Sequence, residues 1–152
     1  MIKDTYEKLK KKFSLPEYDE VNNELEISSL ESDDFLLRQI RRKISERIES
    51  VTEPMGSLLQ PSAESLVDMH ECRFFDDKEK RKMIDIYKKL MIVSRSALEA
   101  DIERDDKADA SVINDFFKAW KALKKDILAF MKKMKTCWEK ETEIEEKLEY
   151  FG

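Results

Sequence analysis

From Ser111 to Gly152 the chain repeats one hydrophobic spacing. Alternating steps of three and four residues visit Ile113, Phe116, Trp120, Leu123, Ile127, Phe130, Met134, Cys137, Glu141, Ile144, Leu148 and Phe151, and only Glu141 is polar. A repeat sustained over this length predicts a helix lying against partners along one seam. Up to Trp138 the flank also carries Phe117, Met131 and Trp138, which widens the stripe to the face of a core-forming helix. Beyond Trp138 the flank turns charged and only the thin seam continues. One helix over 111–152 would be roughly 55 to 60 Å long, longer than a compact domain of this size is wide. Its first two-thirds are expected to wall a core, and residues 139–152 to project or pair as a coiled-coil tail.

The remaining pattern is also helical. Ile2, Tyr6, Leu9 and Phe13 predict a short first helix, with Asp4 and Glu7 early and Lys10, Lys11 and Lys12 late, as the helix dipole favours. Pro16 suits the first turn of a second helix bearing Tyr18, Val21 and Leu25. Ser32 is a candidate N-cap, with Asp33 and Asp34 in the first turn, for a third helix to about Val51 along Leu37, Ile40, Ile44, Ile48 and Val51. Pro54, Gly56 and Pro61 punctuate 52–62 and predict a loop or hinge. A short helix over 61–72 follows. Asp76 and Glu79 have capping-box spacing and open a helix to about Arg104. That helix has apolar residues on two sides and is expected to be central and the most buried. A charged turn over 104–110 then leads to Ser111 as the cap of the long helix. The predicted architecture is all-α, a single-domain antiparallel bundle of about five to six helices with one long C-terminal helix.

Composition narrows the function. Two glycines and three prolines in 152 residues leave little material for β-hairpins or phosphate-cradling loops. Charged residues make up 41% of the chain with a net charge of -5, so no global field draws nucleic acid. Cys72 and Cys137 are far apart, and no apolar signal or membrane-length run occurs, which predicts reduced thiols in a cytoplasmic protein without a membrane partner.

Few residues could do chemistry. His70, in Asp68-Met69-His70-Glu71-Cys72, is the sole histidine. Its spacing to Cys72 is unlike that of zinc modules, and two residues along a helix the two side chains diverge. The expected role of His70 is a helix-end imidazole beside exposed acids. Cys137 sits in the seam and reads as an inert buried thiol. No Glu-x-x-His pair serves a di-iron site. The expectation is no catalytic residue, no metal, no cofactor and no enzyme.

The local charge pattern is more informative. Residues 118–135 hold seven lysines against Asp126 alone, and the third helix adds Arg38, Arg41, Arg42 and Lys43. If these faces meet, Arg38, Arg41, Arg42, Lys121, Lys125 and Lys132 could neutralise phosphates. No aromatic interleaves the lysines, so base stacking is not indicated. The segment Leu37-Arg38-Gln39-Ile40-Arg41-Arg42-Lys43-Ile44, taken with the helix from Asp77 to Leu98, resembles the helical half of archaeal GINS replication subunits. There too an Arg-rich helix precedes an acid-started one, although that family's small β-domain has no counterpart here. The resemblance implies a replication-type assembly. The leading expectation is a protein-interaction protein, an adaptor or assembly subunit. It docks on a protein partner or self-associates as a homo-oligomer through Phe117, Met131, Trp138, Ile144, Leu148 and Phe151. A nucleic-acid-binding accessory protein is the alternative.

Overall fold

The computed structural model describes residues 1–140, and every regular element among them is helical. The helices are α1 (Ile2–Phe13), α2 (Tyr18–Leu25), α3 (Leu36–Leu59), α4 (Leu66–Cys72), α5 (Asp77–Glu103) and α6 (Asp106–Trp138), with one 3₁₀ turn at Ile27–Ser29. No helix among them is long and apolar enough to cross a membrane. Glu141, Ile144, Leu148 and Phe151, and with them nearly all of the predicted tail, lie outside the described residues.

Side-chain caps set the starts of α4, α5 and α6. Asp76 and Glu79 form the predicted box: the Asp76 N–H donates to Glu79 Oε1 at 3.1 Å and the Glu79 N–H to Asp76 Oδ1 at 2.7 Å. Ser65 Oγ accepts from the Asp68 N–H at 3.2 Å and starts α4. The start of α6 corrects the expectation at Ser111. Asp105 Oδ1 accepts from the Ala108 N–H at 2.7 Å, so the cap lies six residues earlier, with Asp106 and Asp109 at the positive end of the helix. The start of α3 is also displaced. Ser32 Oγ accepts from the Asp34 N–H at 3.3 Å in a local turn, and α3 opens only at Leu36, after Phe35 takes a left-handed conformation at φ 49.

The loop expected over 52–62 is instead mostly helix, with Pro54 inside α3. Val51, Met55 and Leu58 continue the three- and four-residue rhythm of Ile44 and Ile48, and all three are buried. Burying three such side chains is worth several kcal/mol, roughly 1.5–3 each, enough to override the helical hydrogen bond that proline cannot make.

The chain divides into two compact units. The first comprises Met1–Ser50 and Lys89–Lys121, the second Val51–Lys88 with the residues from Ala122 onward. In the first, Tyr6, Val21, Ile27, Ile40, Ile44, Ile113 and Phe116 are fully buried. Polar ties fix its short helices: the Tyr6 hydroxyl donates to the Pro16 carbonyl at 2.5 Å, and Trp120 Nε1 donates to Glu24 Oε2 at 3.0 Å. In the second, Met55, Met83, Phe75, Phe130 and Cys137 are buried, and Lys133 Nζ donates to Glu79 at 2.6 Å.

Candidate interaction surface

The described part of the α6 seam is covered. From Ile113 to Cys137 each of its eight positions is buried, none more than 7% exposed. Phe117, expected on the docking flank, is itself 4% exposed and packs edge-on against Phe116, with ring centroids 5.1 Å apart. It follows Ile113 by four residues and so shares the buried side. Met131 is half-buried. Trp138 is half-buried too, donating from Nε1 to Glu71 Oε2 at 3.1 Å.

His70 is a helix-end imidazole, in the last turn of α4, but it turns inward from its acidic neighbours. It is fully buried in the second unit, with its ring 4.4 Å from Trp138 and 5.1 Å from Phe74 and its Nε2 2.8 Å from the Cys137 carbonyl oxygen. The signal that could have found this is amphipathicity: α4 is too short to bury anything but one side, and His70 lies on it. The Cys137 thiol donates to the Met134 carbonyl, and Lys80 Nζ donates to Cys72 Sγ at 3.3 Å. Among the described residues no group of three or more His, Cys, Asp or Glu is placed to hold a metal ion.

The basic candidates separate. Arg41 is only 4% exposed and is committed to an ion pair, Nε to Asp109 Oδ1 at 2.6 Å, with a second bond from its guanidinium to Asp101 at 2.9 Å. It is withdrawn from any phosphate. Arg38 is half-buried, its guanidinium 4.5 Å from the centre of the Phe35 ring and its Nε without a hydrogen-bond partner. Arg42 and Lys121 are exposed in the first unit, Lys125 and Lys132 in the second.

What lies open is a side of α5 in the first unit. Leu90, Val93, Ala97 and Ala100 seat the helix, none more than 4% exposed. At 3.6 residues per turn, Ile92, Arg95, Glu99 and Ile102 follow one another on the opposite side, with Leu98 beside them. Ile92 is 68% exposed, Leu98 54% and Ile102 82%. This corrects the expectation that α5 is the most buried helix: the side of Ile86, Val93, Ala97 and Ala100 is buried, but Ile84 and Leu98 of its other apolar side are exposed, as are Ile92 and Ile102. Ile92 and Ile102 were missed in the sequence because the buried rhythm of the helix does not pass through them. That same break in rhythm was the available signal. The Arg41–Asp101 bond brings the end of α5 that carries Ile102 to the start of α3, where Phe35 is 68% exposed. Beside the open side, an acidic cavity of about 470 Å³ is lined by Glu99, Glu103, Asp105 and Asp115 around Lys107.

No protein-family model, curated protein or solved structure matches the chain. The likeness to GINS subunits therefore rests on the two helices alone.

Proposed function

We propose that this chain is a helical protein-interaction protein, an adaptor or assembly subunit, and that it docks through the outer side of α5. Ile144, Leu148 and Phe151 lie outside the described residues and do not enter this reading, and Phe117 is spent in the core. The observation that carries it is the exposure of Ile92, Leu98 and Ile102 within three turns of one helix whose other side is fully seated. Single exposed aliphatic residues are ordinary on protein surfaces, but a row along one helix marks a contact site. No reaction forms part of this reading.

The test is a full-length chain carrying a photo-crosslinking residue at Ile92, irradiated in a lysate of its own cells beside a chain labelled at exposed Lys118. Discrete adducts from position 92 and none from 118 are expected. Equal labelling from both positions, or none from either, overturns the proposal.

A further inference from the structure

We propose that the partner of this α5 side is a second copy of the same chain, laid antiparallel across it. The inference rests on reading this side as a protein-docking surface, and it adds which protein docks there.

The argument is the order of the charges between the two isoleucines. Along the open side run Ile92, Arg95, Glu99 and Ile102, and all four are exposed. Arg95 and Glu99 are one helical turn apart, yet among the described residues neither makes an ion pair. Arginine placed four residues before glutamate is the less favourable order for a pair within one helix. The two charges are therefore free to meet charges elsewhere.

Set a twofold axis across α5 at the level of residue 97. Ile92 then faces Ile102 of the partner subunit, and Arg95 faces Glu99 of the partner subunit. By symmetry each contact occurs twice, and Leu98 of both copies flanks the axis. The surface is self-complementary in this direction only. A parallel pairing would set Arg95 against its own equivalent and Glu99 likewise, and like charges directly opposed in an interface repel. An isologous antiparallel contact is thus the arrangement in which apolar meets apolar and positive meets negative without a further partner.

The side is short. Three exposed aliphatic side chains per copy place the contact at the low end of specific interfaces, about 1,200 Å² or less, so dissociation is expected on the order of micromolar or weaker.

Sedimentation equilibrium of the full chain over a concentration series reaching on the order of hundreds of micromolar tests this. The expected mass rises from 18.1 kDa towards twice that value with concentration. Ile102→Lys and, independently, Leu98→Lys hold it at the monomer. Both positions are exposed, and circular dichroism confirms that the variants are folded. Arg95→Glu and Glu99→Arg, each alone, weaken association roughly tenfold or more, and an equimolar mixture of the two variants restores it, because each contact across the axis then sets Glu against Arg while neither helix holds an opposite charge four residues away.

A wild-type mass that stays monomeric throughout overturns the inference. So does association indifferent to both lysine variants, or a mixture of the two charge variants that fails to restore it. In that event, discrete adducts of other proteins from position 92 leave the docking surface standing with a different partner. A monomer that also yields no adduct removes both.

Discussion

Arg41 and Asp109 form a buried ion pair joining α3 to the start of α6, with Nε and Oδ1 2.6 Å apart and side chains 4% and 3% exposed. Burial pushes the Asp109 carboxyl above its ordinary range, while the Arg41 guanidinium pulls in the opposite direction. Removing Asp109 leaves the buried guanidinium with only the exposed Asp101 at 2.9 Å, so Asp109→Ala is expected to cost roughly 3 kcal/mol, the low end for breaking a buried pair. Replacing both with apolar residues, Arg41→Met with Asp109→Leu, should recover most of that loss. Urea denaturation of the three variants checks it, and a double variant as unstable as the single one would contradict the account.

Tyr6 predicts alkaline sensitivity. Its ring is fully buried, its hydroxyl donates to the Pro16 carbonyl, and burial followed by the nearby Glu7 raises its pKa above the ordinary 10.0. The folded state thus holds this proton more tightly than the unfolded chain. The stability this contributes is complete below about pH 10 and is lost progressively as pH rises beyond it. Tyr6→Phe should cost about 1 kcal/mol at pH 7, through the lost hydrogen bond, and should fall less steeply than the wild type above pH 10. Denaturation midpoints for both proteins at pH 7 and at pH 10 to 11 measure the difference, and parallel losses would refute it.

His70 is enclosed by Trp138 and Phe74 and bonded to the Cys137 carbonyl. His70→Ala opens a cavity and removes that bond, for an expected loss of about 3 kcal/mol. His70→Phe refills the space but not the bond, and is expected to cost about half as much. Thermal unfolding ranks the two, and equal losses would mean the hydrogen bond, not the packing, dominates.

Two substitutions in α3 should stabilise. Gly56 sits in the helix with Tyr87 alongside, and an added Cβ would lie 3.4 Å from Tyr87 Cε2, an ordinary contact. Gly56→Ala is expected to gain roughly 0.5–1 kcal/mol. Pro54→Ala restores a helical donor and should gain on the order of 1 kcal/mol or more. A lower melting temperature for either variant would show that the residue serves a conformation other than straight helix.

Local signals were legible where they had no competitor. The Asp76–Glu79 box is read correctly because both of its bonds lie within four residues. Ser111 alone is read as the cap of α6 from the sequence, whereas the chain already turns at Arg104, φ 58, and brings Asp105 to that role. Pro54 was read as a break because propensity was weighed without the burial of Val51, Met55 and Leu58. For the candidate surface, Leu98 was visible as apolar, but nothing in the pattern said which side of α5 would be covered.

The spacing of apolar residues by itself determined that this chain is helical, and which side of α6 is buried from Ile113 to Cys137, because a helix has a fixed period and its greasy stripe must be covered. Only the tertiary structure decided that Arg41 is locked to Asp109, that His70 is interior, and that α5 leaves Ile92, Leu98 and Ile102 in water. Those outcomes depend on residues distant in sequence competing for the same neighbours. A helix with apolar residues around most of its circumference cannot seat them all when the chain around it has no further side to offer.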